Sequence, residues 1–192
     1  MNEFEKNLYN IYTLSNIEID LLLSYMDLKS YKKGDILIKE GTKDNNLYII
    51  KTGVIRAFRY NNGEEIALWF ASCGEIVIPL WGYCRNDISA ENIEFETDCQ
   101  LYSISKTKIN DLCNKFILIA NLFRKIFENH ALVMEEFLLF FADNKLAEER
   151  YIAMMKRHPE ILNQVPLKKL ASFLYVTPQS LSRIRAGLKR KS

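Results

Sequence analysis

The sequence predicts an α+β chain made of an N-terminal antiparallel β-barrel or sandwich, one long helix and a C-terminal helix-turn-helix. Three observations carry that reading. Gly34, Gly41, Gly53, Gly63 and Gly74 punctuate short runs rich in β-branched and aromatic residues. Beyond about residue 106 the glycines vanish until Gly187, and apolar residues recur with a helical period. Residues 150–192 carry ten Lys and Arg against one acid, Glu160, whereas residues 1–149 hold 16 basic and 23 acidic side chains.

Each element has a local reason. Ser15, with Glu18 three residues on, is a capping box that opens a helix within residues 15–28. From Tyr31 the runs DILIKE, NLYIIK, VIRAFRY, EIALWF and QLYSIS read as strands between turn signals. NNGE at 61–64 is a hairpin tip, because Asn-Gly tolerates the positive φ of a tight turn. These segments and their flanking helices make a first unit, residues 1–115. Residues 116–142 form the long helix. Phe116, Phe123, His130 and Phe137 recur every seven residues, with parallel columns at Ala120, Phe127, Met134, Phe141 and at Ile119, Ile126, Val133, Phe140. A stripe that wide covers the β-unit with one flank and meets a second copy of the helix with the other. The homodimer interface expected on this pattern is Phe116, Phe123, Phe127, His130, Met134 and Phe137. Asp143 is placed to cap a helix over 144–157, which Pro159 closes.

Residues 143–192 hold the helix-turn-helix. LKKLASFL puts Leu167, Leu170, Ala171 and Leu174 on one face of a first helix. Thr177 is a good N-cap for a second helix, with Pro178 in its first turn. There Leu181, Ile184 and Leu188 form the buried stripe, opposite Gln179, Arg183, Ala186 and Arg190, with Ser182 at the shoulder. Ala171 is small where the second helix must cross, and Leu181 plugs the junction. Tyr175 stands at the left-handed turn position that favours glycine, a strain of about 1–2 kcal/mol unless its ring packs. The partner this geometry fits is double-stranded DNA. Gln179, Arg183 and Ser182 are candidate base readers; Thr177, Ser180, Lys168, Lys169, Arg185 and Lys189 are candidate phosphate contacts. A ligand-sensing module whose basic end docks on a protein or on RNA is the alternative, although that end lacks the exposed aromatics that stack single-stranded bases.

Other classes find less support. At 48% hydrophobic and 12% aromatic the chain can build a core. No run approaches the roughly 18 apolar residues of a membrane span, and MNEFEKNLYNIYT lacks a signal-peptide profile, so a cytoplasmic location without a membrane partner is expected. Cys73, Cys84, Cys99 and Cys113 have no C-x-x-C spacing and read as buried free thiols. With His130 and His158 far apart, no metal site or catalytic constellation assembles, and no enzyme is expected.

Taken together, the stretch GDILIKEGTKDNNLYIIKTGVIRAFRYNNGEE, the long apolar helix and KKLASFLYVTPQSLSRIRAGL resemble the Crp/Fnr family of bacterial transcription regulators. The resemblance covers nearly the whole chain. It implies a cupin-like β-roll of the cyclic-nucleotide-binding type, a dimerising helix, a pseudo-palindromic operator, and RNA polymerase as a partner. The family's base-reading positions fall on Pro178, Gln179 and Arg183, and Pro178 has no donor to offer.

The chain also departs from the family. Nucleotide-binding members carry a Gly-Glu-Leu-type turn and an Arg-Ser/Thr-Ala stretch whose arginine holds the cyclic phosphate. Here the region reads EIVIPLWGYCRNDISAEN: Ser89 and Ala90 survive, Ile88 replaces the arginine, and Arg85 lies three residues upstream. An apolar side chain cannot neutralise a phosphate and Glu91 would repel it, so no cofactor and no cyclic AMP control are expected. Trp69, Leu80, Trp81 and Tyr83, beside Ser89 and Ala90, either line an apolar effector pocket or simply fill the barrel. No cysteine cluster of the oxygen-sensing kind precedes Cys73, and the sequence leaves space for only a short wing or none.

Overall fold

The structure, a computed structural model, describes residues 2–190. It opens with two capped helices. Asn2 and Glu5 cap α1 (Glu3–Tyr12), which sequence reasoning did not foresee and which buries Leu8 and Tyr12. The expected Ser15 box opens α2 (Asn16–Ser24): Ser15 N–H donates to Glu18 Oε2 at 2.8 Å, and Glu18 N–H to Ser15 Oγ at 3.4 Å. The helix stops short of residue 28, because Asp27 and Leu28 pair with Ser103 and Tyr102 in a sheet.

Eight strands follow: β1 (Asp27–Tyr31), β2 (Ile36–Ile38), β3 (Asn46–Thr52), β4 (Ile55–Asn61), β5 (Glu64–Ala71), β6 (Ile76–Val77), β7 (Asn92–Phe95) and β8 (Cys99–Ser105), with α3 (Leu80–Arg85) between β6 and β7. They form two four-stranded antiparallel sheets, β1-β8-β3-β6 and β2-β7-β4-β5. The sheets close over Ile50, Ile55, Ala57, Ile93, Phe95 and Leu101, giving the expected β-roll. Asn61 pairs with Glu64 across the β4–β5 tip, where Asn62 and Gly63 have φ of 50° and 82°. Positive φ at both central residues is the twist that a two-residue hairpin requires. Gly53 is also needed as glycine, because a β-carbon there would collide with Cys99 Sγ.

The helical half comprises α4 (Lys106–Lys115), α5 (Ile117–Asp143), α6 (Ala147–Arg157), α7 (Pro159–Gln164), α8 (Leu167–Phe173) and α9 (Pro178–Lys189). One local expectation is corrected. Asp143 ends α5 instead of capping α6, whose start is held by Glu149 accepting from Leu146 N–H at 2.8 Å. HPEILNQVP forms α7, with Pro159 as its first residue.

The residues expected at a dimer interface are placed differently along α5. Along α5 the buried residues are Ile119, Leu122, Phe123, Ile126 and His130, the first four packed with α1, α2 and β3 of the same chain. Phe127 meets Tyr83 at 5.7 Å, and Phe137 meets Phe141 at 5.6 Å. Phe123, Phe127, His130 and Phe137 therefore serve the protomer's own interior, while Phe116 and Met134 are exposed. The other large apolar residues of α5 left to water are Ile117, Leu118, Leu132, Leu138 and Leu139.

Among the described residues no helix is long and apolar enough to cross a membrane, and no cluster of His, Cys, Asp and Glu could hold a metal ion. The cysteines are free thiols, but only Cys99 is buried and Cys84 is exposed, against the expectation. Burial pushes the half-buried Cys73 thiol up to about 11, so it stays protonated and unreactive near neutral pH.

Candidate nucleic-acid interface and adjoining cavity

The helix-turn-helix assembles on the residues that its spacing picked out. Leu170, Ala171, Leu174 and Leu181 have no exposed surface, and α9 crosses α8 at the small Ala171. Tyr175 takes φ 55°. Its ring stays largely in water and meets Phe141 edge-on at 5.5 Å, which offsets part of the strain. Val176 N–H closes the turn on Ala171 O at 3.0 Å. Thr177 Oγ1 accepts from Ser180 N–H at 3.2 Å, the expected N-cap. One support was not visible in the sequence. The Arg150 guanidinium on α6 donates to Leu174 O at 2.9 and 3.2 Å, satisfying a carbonyl at the end of α8. Nothing in AEERYIAMMKR, which holds both Arg150 and Arg157, signals that role.

Of the candidate base readers, Gln179, Ser182 and Arg183 are all exposed on one side of α9, with Ala186 and Arg190. Lys168 and Lys189 are exposed beside them, and Thr177 and Ser180 share a hydroxyl–hydroxyl contact of 3.0 Å at the helix start. Lys191 and Ser192 lie outside the described residues. Two candidates are corrected. Arg185 turns back, donating to Leu162 O at 3.1 Å with its guanidinium 5.5 Å from the Tyr151 ring centre. Lys169 points away from α9 and donates to Glu94 Oε2 at 3.0 Å and Glu96 Oε1 at 2.7 Å. Both basic residues are spent on the protein's own interior.

The Lys169 contact belongs to a charge cluster that joins the β-roll to the helix-turn-helix. Arg56, the second residue of β4, has no exposed surface. It reaches Glu65 at 2.7 Å, Glu94 at 2.6 Å and Glu96 at 2.7 Å. Burial works against the guanidinium charge, but the carboxylates more than offset it and raise its pKa. Burial likewise opposes the Glu94 carboxylate, yet Arg56 and Lys169 hold it below the ordinary carboxylate range. Three carboxylates face two cations, so without Lys169 the fully buried Glu96 would be poorly compensated. Beside this cluster, Ser172 Oγ accepts from Ala67 N–H and donates to Glu65 O, each at 3.1 Å, satisfying the edge of β5. Lys169→Met is expected to cost about 1–3 kcal/mol of stability, less than a fully buried pair because solvent reaches the ammonium. It should leave the salt dependence of nucleic-acid binding unchanged. Denaturant titration and binding at several salt concentrations check both halves.

Beside α8 lies a cavity of about 340 Å³ between β5, β6 and α3 on one side and α5, α6, α7 and α8 on the other. Trp69, Leu80 and Trp81 line it, as the sequence suggested, together with Met134, Phe137 and Phe173. Tyr83, Ser89 and Ala90 do not. Tyr83, within α3, is buried beside Phe127, Ser89 Oγ donates to Glu91 O at 2.8 Å, and Ala90 faces solvent. Arg85 is exposed, its guanidinium 5.4 Å from the Trp81 ring centre, and it is not among the lining residues.

The comparisons with known proteins agree with this geometry. Residues 28–116 match the cyclic nucleotide-binding domain family. The chain superposes on the c-di-GMP responsive global regulator CLP of Xanthomonas campestris with a TM-score of 0.71, 15% identity and coverage of 92% and 93% of the two chains. FixK2 from Bradyrhizobium japonicum gives 0.64, with 15% identity and coverage of 86% and 85%. The chain has the Crp/Fnr fold. Thermus thermophilus catabolite activator protein shares it at 21% identity, with a TM-score of 0.53 and coverage of 96% and 87%. One curated relative in Homo sapiens, potassium/sodium hyperpolarization-activated cyclic nucleotide-gated channel 4, is 27% identical over 111 residues. That match takes in 58% of this chain and 8% of the channel, so this chain spans a small fraction of that relative. Within the Crp/Fnr fold, the matched domain is the β-roll with α4, and the exposed face of α9 lies outside it.

Proposed function

We propose that this chain is a homodimeric, sequence-specific regulator of transcription that binds double-stranded DNA, acts with RNA polymerase, and is not controlled by cyclic AMP. The observation that carries this reading is the outward face of α9. Gln179, Ser182 and Arg183 stand exposed on one side of a capped helix, while Leu181 holds that helix to α8. Amide and guanidinium groups at that spacing suit adenine N6/N7 and guanine O6/N7 in the major groove. Lys168 and Lys189, with the Thr177 and Ser180 hydroxyls, supply phosphate contacts that fix register. The outward leucines of α5, Leu132, Leu138 and Leu139, are the surface a second copy would cover. Such a dimer sets its recognition helices about 34 Å apart, one turn of DNA. Against cyclic AMP stand Ile88, half exposed where the family's arginine belongs, and the outward Arg85.

Selection from random duplex DNA tests the proposal, and a pseudo-palindrome with half-sites one turn apart is the expected product. Arg183→Ala should erase the preference at one base pair per half-site, about 1–3 kcal/mol of discrimination. Lys168→Ala should weaken all sequences alike. If no palindrome is enriched, or Arg183→Ala weakens selected and random duplexes equally, the reading fails in favour of a protein or RNA partner.

A further inference from the structure

We infer that the cavity beside α8 is a binding site for a small, uncharged, mainly apolar molecule carrying one hydrogen-bonding group, an alcohol or ketone in class. This goes beyond the DNA-binding reading and stands without it. At about 340 Å³ the cavity falls within the size range of small-molecule sites. Its wall is largely aromatic and aliphatic, with Trp69, Trp81, Phe137, Phe140 and Phe173 among its lining. One polar atom in that wall lacks a partner: His130, 8% exposed, has its Nδ1 buried with no hydrogen bond. A buried ring nitrogen left alone is costly, and a ligand hydroxyl or carbonyl answers it. Burial also lowers the His130 pKa, so the ring meets its ligand neutral.

Charge in the lining selects against anions. Glu75 and Glu91 line the cavity with pKa values raised by burial, and Trp69 hydrogen-bonds Glu91. Glu136 adds a third carboxyl group, while Arg157 and His158 supply positive charge to the lining, the latter through a pKa raised by Glu160 against the effect of burial. An anion meets three carboxyl groups, while Arg157 and His158 already face Glu136 and Glu160 at 3.9 and 3.6 Å. The lining's arginine, Arg157, is half exposed and 3.9 Å from Glu136, so it offers no buried fork for a cyclic nucleotide phosphate.

The test uses the full chain and its own fluorescence, because its two tryptophans both line the cavity. N-phenyl-1-naphthylamine, an uncharged apolar fluorophore that absorbs where tryptophan emits, is the probe. The expected result is saturable energy transfer from the tryptophans at micromolar probe. 1-Decanol should displace the probe, decanoate should do so at least about tenfold more weakly because its carboxylate must be buried, and cyclic AMP should not displace it. Val133→Phe, which adds bulk to the lining, should abolish energy transfer while the far-ultraviolet dichroism stays unchanged. His130→Leu should keep probe binding but remove the preference for decanol over an alkane of equal length, whether or not the first variant folds. Absence of saturable transfer, equal displacement by decanol and decanoate, competition by cyclic AMP, or an undiminished preference in His130→Leu overturns the inference.

Discussion

Arg56→Met is expected to destabilise the protein by about 3–5 kcal/mol, because it leaves buried carboxylates without their principal counter-charge. Glu96 has no exposed surface, Glu94 is mostly buried, and Lys169 alone cannot serve both together with Glu65. The guanidinium meets a different carboxylate through each of Nε, Nη1 and Nη2. It also lies 4.3 Å from the Phe58 ring centre, so its flat shape is part of the packing. Arg56→Lys should therefore rescue little, since one ammonium cannot present three donors in a fixed plane. Proton linkage gives the sign of a pH effect. The Glu94 pKa is held below its ordinary value in the folded chain, so its contribution to stability is present above the ordinary carboxylate range and fades as pH falls through the lowered value. The deficit of Arg56→Met should accordingly shrink in acid, where protonation relieves the stranded carboxylates. Denaturant unfolding at several pH values measures this. A loss under about 1 kcal/mol at neutral pH would show that the cluster is not holding the fold.

What the sequence made legible follows the range of each interaction. The NNGE tip, the Ser15–Glu18 box, the Thr177 cap and the left-handed Tyr175 are set by residues within a few positions of one another, and all stand as expected. Lys169 and Arg185 were read as phosphate contacts because a helical wheel shows which face is polar. The wheel cannot show that the face is covered by another unit. The partners of Lys169 lie 75 and 73 residues away on β7 and the turn after it. The long helix failed for a related reason. A seven-residue period marks three apolar columns, but only the position of α1, α2 and the β-roll decides that Phe123 and His130 turn inward while Leu138 and Leu139 remain in water. The cavity was half legible. Trp69, Leu80 and Trp81 are large apolar residues around β5 and α3, whereas Phe137 and Phe173 join them only when the helical half folds over the roll.

Phe173→Ala is the second large effect, at about 3–5 kcal/mol for a buried ring removed from a packed cluster. Phe173 meets Phe70 of β5 at 5.4 Å, and Phe137, Phe140 and Phe141 of α5 at 6.3, 5.9 and 5.5 Å. One α8 side chain thus touches both the β-roll and the long helix. Lys169 and Ser172, four and one residues before it, face the same roll, so the ring, the ion pair and the β5-edge hydrogen bonds act together. Losing the ring should weaken the docking of the helix-turn-helix more than it weakens α8 and α9, whose mutual packing runs through Ala171 and Leu181. Calorimetry is then expected to show a single unfolding transition splitting in two, with the earlier one assigned to the C-terminal unit by hydrogen exchange. If the variant melts as one cooperative transition within a few degrees of the parent, Phe173 is not the wedge that couples the two halves, and the Lys169 cluster must carry the coupling alone.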